Sequence, residues 1–314
     1  NCQTRPSKAI LNQHIPLEKQ RKITQLITRT LGYDTASSDA GGRVDETEHP
    51  FTTGYYNDVR ITTHYYSNNF VSSIFSVLHE SGHALYEQNL NPEWQYQPVG
   101  STCSYGIHES QSRFYENIIG RSKEFWTDFL PKIKQAAPSL NNLQLDSFLQ
   151  AVNKVERSKI RVEADEVTYS LHIIIRFELE RDLFADKITV DELPEAWNQK
   201  YADYLGVKIE NDSEGVMQDT HWASGLYGYS PSYALGNIYS GQITAAITKD
   251  LPDWRIQLSE GKLDNVNSWL NKNIHNQGDL YDPEILIKRA TETNLDAQPY
   301  LQYLTKKYSN LYGF

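Results

Sequence analysis

Two histidines spaced four residues apart constrain this chain more than any other feature. His79 and His83 enclose Glu80 in the segment His-Glu-Ser-Gly-His, with apolar residues on both sides. On an α-helix this spacing places both imidazoles on one face, with Cβ atoms about 5–6 Å apart. Two imidazole nitrogens at that separation can bind one Zn²⁺ ion at about 2.0–2.1 Å. A glutamate directly after the first ligand can accept a proton from metal-bound water, so the segment predicts a catalytic metal helix.

A catalytic zinc site needs a third protein ligand and one position left for water. Glu109 is the candidate, thirty residues beyond His79 and near the start of the next predicted helix. A helix–loop–helix hairpin would lay this second helix against the first, and a carboxylate would add negative charge to the metal. Alternatively, Glu109 is an ordinary acidic residue favoured by the dipole at a helix N-terminus. His108 is predicted to support a ligand, since a fourth protein ligand would displace the water.

Length, charge and cysteine content narrow the class of protein. The 314 residues suffice for one large domain or two small ones. The net charge of −10 and the pI near 5.4 argue against nucleic acid or an anionic membrane as the main partner. Cys2 and Cys103 could form one bridge, but a reducing cytoplasm is the simpler interpretation. The chain begins at Asn1 and shows no signal-peptide pattern and no apolar run that would span a bilayer.

Apolar periodicity predicts a mainly helical protein with a minor sheet. The one predicted strand is 58–66, where polar and β-branched residues alternate. Residues 34–57 are rich in Ser, Asp, Gly and Thr and are predicted to form an extended loop. The predicted helices are 17–31, 69–88, one that begins near 106, 122–136, 144–158, 161–187, 194–205, 232–249, 262–273, 283–293 and 298–312.

Five segments in a fixed order resemble the signature of the carboxypeptidase Taq family of thermostable metallocarboxypeptidases. They are Asp58–Thr62, His79–His83, His108–Gln111, Ile160–Asp165 and Gly215–Trp222, and Gly228–Asn237 is also similar. The likeness covers nearly the whole chain from Pro50 onward. It implies that the metal ligands are His79, His83 and Glu109, and that Glu80 is the catalytic acid and base.

The resemblance also implies a fold, a cofactor and an assembly. Members of this family are helical two-lobed metallopeptidases of the neurolysin-like or gluzincin type, with a small β-sheet at the active-site groove. They are typically homodimers that accept Zn²⁺ or Co²⁺ and have broad specificity. They also extend further on the N-terminal side. Residues 1–314 are therefore expected to form a single catalytic region that lacks the family's N-terminal helical segment.

Residues outside the metal helix are candidates for binding the substrate. The Arg161 guanidinium matches the C-terminal carboxylate of a peptide, and by resemblance it could restrict substrate length; the alternative is a structural salt bridge. Asp58 and Arg60 point the same way from a strand, which favours a structural pair over a place at the substrate edge. The backbone edge at 59–63 is predicted to bind an extended peptide as an added strand.

A further group of residues would stabilise the oxyanion formed during hydrolysis. His221 is one candidate, unless it is simply a packed histidine, and Asp219 would fix its tautomer. Tyr227, Tyr229 and Tyr233 are phenol donors, of which one is expected to serve. Tyr229 is assigned to catalysis and Tyr233 to substrate binding, although the sequence alone does not distinguish the three.

These observations favour a zinc carboxypeptidase that removes C-terminal residues from peptides one at a time. Glu80 would deprotonate the attacking water and then protonate the leaving amine. A metallo-endo-oligopeptidase with the same helix is the alternative, and a truncated metal-binding remnant without activity is the third hypothesis. The expected partner is the C-terminus of a peptide, with no role for nucleic acid or a membrane.

Overall fold

The computed structural model describes residues 7–218 and 220–313, in which helices dominate and one small sheet is present. This confirms the predicted mainly helical fold. The chain divides into two compact units, a larger one within 1–152 and 236–314 and a smaller one within 153–235. The single catalytic region expected from the sequence stays a prediction. Among the described residues, no helix combines the length and the apolar content that a membrane span requires.

Most of the predicted helices are present, but the helix predicted at 144–158 is wrong at its end, since residues 154–158 have no helical structure, and the short helix α9 was not predicted. In chain order the α-helices are α1 (Leu17–Leu31), α2 (Phe70–Gln88), α3 (Tyr105–Arg113), α4 (Lys123–Ala136), α5 (Leu145–Val152), α6 (Tyr169–Phe184), α7 (Leu193–Leu205), α8 (Pro231–Asp250), α9 (Trp254–Ser259), α10 (Asp264–Asn273), α11 (Pro283–Thr291) and α12 (Gln298–Tyr312).

The helix predicted at 161–187 is wrong in its first turns. The carboxylate of Asp165 accepts hydrogen bonds from the backbone N–H groups of Val167 and Thr168. A side chain that bonds the nearby backbone in this way competes with the helical hydrogen bonds, so residues 166–168 form a turn and α6 begins only at Tyr169. Before it, Arg161–Glu163 forms a single 3₁₀ turn.

Two short strands occupy the region predicted to be a loop, so that prediction is wrong. β1 (Gly42–Glu46), β2 (Thr52–Tyr55) and β3 (Asp58–Thr63) form a sheet in the order β1-β3-β2. β1 runs parallel to β3, and β2 runs antiparallel to it. Both new strands are short and mostly polar, so they carry no apolar alternation and depend on their pairing with β3. The predicted strand addition at 59–63 is also wrong, because β3 is central and the outer edges belong to β1 and β2.

α2 is the helix around which the larger unit is built. It packs against α1, α3, β2 and β3. Its apolar side chains are buried, among them Phe70, Ile74, Val77, Leu78 and Ala84. Burying one large apolar side chain contributes about 1.5–3 kcal/mol, so this stripe sets the rotation of the helix. His79 and His83 consequently lie on its remaining, partly accessible face.

The smaller unit has a core of its own between α6 and α7. Its buried members are Ile175, Leu179, Leu193, Trp197, Tyr201, Leu205 and Ile209. Arg176 is only 1 % exposed, and its guanidinium lies 4.7 Å from the centre of the Trp197 ring. A buried cation over an aromatic face is stabilised by the ring quadrupole, so this contact offsets part of the cost of burying the charge.

Candidate metal centre

The donor atoms of His79, His83 and Glu109 converge in the larger unit. The Nε2 atoms of the two imidazoles lie 3.6 and 3.4 Å from Oε2 of Glu109, and all three donors fall within 4.8 Å of one another. Ligand atoms placed about 2.0–2.1 Å from a tetrahedral ion lie about 3.3–3.4 Å apart. The spacing therefore fits one small divalent cation, and the structure brings together the three predicted ligands.

Two glycines allow the close packing that positions Glu109. A Cβ atom on Gly82 of α2 would lie 2.5 Å from the carbonyl oxygen of Gln111 in α3. A Cβ atom on Gly236 would lie 2.5 Å from Cγ of Glu109 itself. Because glycine has no side chain, the backbones approach closely enough for Glu109 to reach the two histidines.

Neighbouring basic side chains keep the Glu109 carboxyl group ionised. Burial raises its pKa, but Arg113 and the two histidines outweigh burial and hold the pKa well below its ordinary value. Nε of Arg113 donates to Oε1 at 2.7 Å, and the Ser112 hydroxyl donates to Oε2 at 3.1 Å. The ionised carboxylate is the form that binds a metal ion.

The two histidines lie in different electrostatic surroundings. Burial lowers the pKa of His79, but the carboxylates of Glu109, Glu116 and Glu80 outweigh burial and raise it to about 9. Carboxylates that favour a proton on this imidazole also favour a divalent cation beside it. Burial and then the neighbouring imidazole of His108 lower the pKa of His83 to about 3, which keeps it neutral, as a ligand must be. The charges of the cluster therefore fit a cation.

The second ring nitrogen of each histidine has a hydrogen-bond partner. Nδ1 of His79 lies 2.9 Å from Oε2 of Glu116. Nδ1 of His83 lies 2.5 Å from Nδ1 of His108, whose Nε2 lies 2.9 Å from Oε1 of Glu87. When Nδ1 carries the proton in both ligands, the lone pair of each Nε2 is available to a metal. His108 thus lies where the sequence predicts a supporting residue.

Three charged residues around the donors were not predicted from the sequence, namely Glu87, Arg113 and Glu116. The first two each lie four residues beyond a proposed ligand on the same helix, and that spacing is a usable signal. Glu116 lies in a π-helical segment, Phe114–Ile119, that follows α3. Such wider turns occur often at functional sites but have no simple residue pattern, so this partner was not predictable.

Replacing His108 with phenylalanine should weaken divalent-metal binding by about 10–100-fold, the usual cost of losing an outer hydrogen-bond partner. The phenyl ring is also planar and is somewhat larger than the imidazole, but it cannot accept the proton on Nδ1 of His83. Competition titration of Zn²⁺ against a chelating indicator measures the effect. His64→Phe is the control, because His64 hydrogen-bonds to the main chain of Thr47 and not to any of the three proposed metal ligands. Unchanged affinity in a folded His108→Phe protein would contradict the supporting role.

Glu80 is buried beside the donors, with 6 % of its surface exposed. Burial raises the pKa of its carboxyl group, against the opposing effects of His79 and of a hydrogen bond from Thr52. The hydroxyl oxygen of Thr52 lies 2.6 Å from Oε2 of Glu80. A buried carboxylate with a raised pKa is suited to take up a proton and to return it.

Four predicted residues form a cluster in the smaller unit. Nε2 of His221 lies 3.1 Å from the hydroxyl of Tyr233, and the His221 ring stacks on Tyr229 with centroids 5.1 Å apart. The Arg161 guanidinium lies 4.7 Å from the centre of the Tyr233 ring. The structure therefore groups these four side chains, while their roles stay predictions. Asp219, predicted to fix the His221 tautomer, lies outside the described residues.

The last predicted residues are a tyrosine and an ion pair. Tyr227 is 57 % exposed and packs against Phe184, with ring centroids 5.1 Å apart. Arg60 donates twice to the carboxylate of Asp58 on β3, over 2.7 and 2.8 Å. The side chain of Asp58 is 66 % exposed and that of Arg60 is 43 % exposed, and the geometry is that of the predicted structural pair. A role of the pair at the substrate edge stays a prediction.

A His-Glu-x-x-His helix joined by a buried glutamate from the following helix defines a metallohydrolase type of centre. The sequence matches the family described as Carboxypeptidase Taq (M32) metallopeptidase over residues 1–308. The chain therefore belongs to the M32 family of metallocarboxypeptidases, which confirms the resemblance carried by the five segments.

Individual relatives agree with this placement. Carboxypeptidase 1 of Bacillus subtilis is 45 % identical over 98 % of this chain and 61 % of the relative. Thermostable carboxypeptidase 1 of Thermus thermophilus is also 45 % identical, over 98 % of this chain and 60 % of the relative. The crystal structure of the M32 carboxypeptidase from Deinococcus radiodurans R1 has a TM-score of 0.95 at 39 % identity, covering 99 % of this chain and 62 % of that one. This chain spans about three fifths of the length of the curated relatives it matches.

Proposed function

We propose that this protein is a zinc-dependent carboxypeptidase that hydrolyses C-terminal amino acids from peptides with broad specificity. The observation that carries the proposal is the convergence of the His79, His83 and Glu109 donor atoms beside the buried Glu80. The family to which the chain belongs supports the reaction type. Two imidazoles and one carboxylate suit zinc, and Co²⁺ is the second candidate metal.

Glu80 moves the protons of the reaction. A bound zinc ion would polarise the scissile carbonyl and lower the pKa of a water molecule. Glu80 accepts a proton from that water as general base and donates it to the leaving amine as general acid. Its burial makes the carboxylate more basic than an exposed one, which favours the first of these transfers.

The smaller unit supplies further groups to the proposal. On the family resemblance we assign His221 and Tyr229 to stabilising the oxyanion, and Arg161 and Tyr233 to binding the substrate. Hydrogen-bond donors aimed at a developing negative charge lower the barrier, and a guanidinium is the natural partner of a terminal carboxylate.

The cellular setting is also part of the proposal. Peptide C-termini are the proposed partners, and the proposed assembly is the homodimer that is typical of the family. Cytoplasmic location is proposed because 314 residues contain only two cysteines, of which Cys103 is a free thiol.

Two peptides that differ only at the C-terminus will test this function. The peptide with a free carboxylate should lose residues one at a time from that end, and its amidated twin should resist, because the terminal carboxylate is the group recognised. A chelator should abolish hydrolysis, and added Zn²⁺ should restore it. Mass spectrometry of the products measures both effects.

Other products would identify the competing functions. Internal cleavage of the amidated peptide would identify a metallo-endo-oligopeptidase. If folded protein binds Zn²⁺ and cleaves neither peptide, it is a metal-binding remnant without peptidase activity.

A further inference from the structure

The hydroxyl group of Thr52, the first residue of β2, contacts Glu80. Oγ1 of Thr52 lies 2.6 Å from Oε2 of Glu80 and 3.1 Å from the main-chain oxygen of the same residue. The contact joins residues 28 positions apart and depends on the packing of β2 against α2. Within 7–218 and 220–313, no second group donates a hydrogen bond to this carboxylate.

The one proton of the Thr52 hydroxyl is available to the carboxylate. Glu80 lies inside α2, so its main-chain oxygen already accepts the N–H of Ala84 in the helical ladder. The Glu80 carboxylate is buried, and a buried charged oxygen without a hydrogen-bond donor is costly, so the hydroxyl proton is better placed on the carboxylate than on the main-chain oxygen. The 2.6 Å separation is typical of a hydroxyl that donates to a charged oxygen.

The side chain of Thr52 is held more rigidly than the carboxylate of Glu80. Its β-branched side chain is restricted at χ1, and its backbone pairs with Ile61 of the central strand. By contrast, the last torsion of a glutamate side chain is broad and nearly two-fold. A fixed donor on one oxygen therefore selects the orientation of the whole carboxylate.

We propose that Thr52 is a positioning residue that holds Oε2 of Glu80 and so leaves Oε1 to exchange the proton with the reacting water. The inference rests on the proposed function, in which Glu80 is the base. Thr52 acts through the orientation of Glu80, so its removal slows the chemical step without weakening the binding of the peptide.

Three variants test the role of the hydroxyl. Thr52→Val keeps the shape of the side chain and removes the hydroxyl, whereas Thr52→Ser keeps the hydroxyl. With zinc-loaded protein and a C-terminally free peptide, Thr52→Val should lower kcat about 10- to 100-fold and change KM less than about threefold. Thr52→Ser should stay within about threefold of the unaltered protein in both constants. Thr53→Val is the matched control, because this exposed neighbour lies on the opposite face of β2.

Two measurements do not depend on turnover. Competition titration should give the same Zn²⁺ affinity for all three variants and the unaltered protein, because the proposed role leaves the three donors untouched. Crystal structures should show the Glu80 carboxylate rotated in Thr52→Val and unchanged in Thr52→Ser.

Three results would overturn the inference: an unchanged kcat in Thr52→Val, an equal loss in the valine and serine variants, or a loss of Zn²⁺ affinity in Thr52→Val. Glu80→Gln in the same assay separates these results from a failure of the proposed function. If Glu80→Gln stays active, Glu80 is not the base and the function itself is wrong. If Glu80→Gln is inactive and Thr52→Val is unaffected, only the role of Thr52 is wrong.

Discussion

Replacing Glu80 with glutamine is expected to lower kcat by about 10²–10⁴-fold while the protein keeps its metal. The amide has nearly the shape of the carboxylate but cannot accept a proton from water. Glu80 is not one of the three converging donors, so Zn²⁺ affinity should change by less than about threefold. Steady-state hydrolysis of a C-terminally free peptide and a competition titration measure the two effects.

The control for this variant is Glu18→Gln, which makes the same chemical change on α1. The Glu18 side chain is 71 % exposed, so its neutralisation should leave both turnover and metal binding unaltered. Near-full activity in Glu80→Gln would show that another group is the base. A loss of zinc in Glu80→Gln would show that the carboxylate binds the metal instead.

Replacing Glu109 with glutamine is expected to weaken Zn²⁺ binding by more than about 100-fold. Loss of a residue that only hydrogen-bonds to a ligand costs about 10–100-fold, and loss of a ligand should cost more. The change removes a negative charge that lies 3.4 and 3.6 Å from the two Nε2 atoms. Arg113 keeps Glu116 as an ionic partner at 3.3 Å, so the substitution does not leave a buried guanidinium without a carboxylate. Part of the peptidase activity should return at high Zn²⁺, because added metal drives the weakened site toward the bound state.

Comparing the Zn²⁺ affinities of three variants tests this second prediction further. The loss of affinity should be greater for Glu109→Gln than for His108→Phe, and Glu18→Gln should again have no effect. An unchanged affinity in Glu109→Gln would support the other interpretation of this residue, an acidic group favoured by the helix dipole alone.

Helices were predictable because their signals are local. The ending of α1 illustrates this, since Gly32 adopts the left-handed conformation, with φ 84°, that its place after Leu31 predicts. β1 and β2 were not predictable in the same way. Their residues are polar and few, and what makes them strands is pairing with β3, a partner that no pattern within either segment reveals.

The residues of the candidate site also fall into two groups, those placed by one helix and those placed by packing between segments. The order of residues along α2 is enough to place His79 and His83 on one helical face with Glu80 between them, because a helix converts a spacing of four into proximity. Glu109, Thr52 and Glu116 reach this face only through packing between separate segments, which a glycine contact, a strand edge and a π-helical turn make possible. Such approaches depend on how many side chains, distant in sequence, pack together. The sequence therefore predicts the type of metal centre, whereas the complete set of residues around the donors is given only by the folded structure.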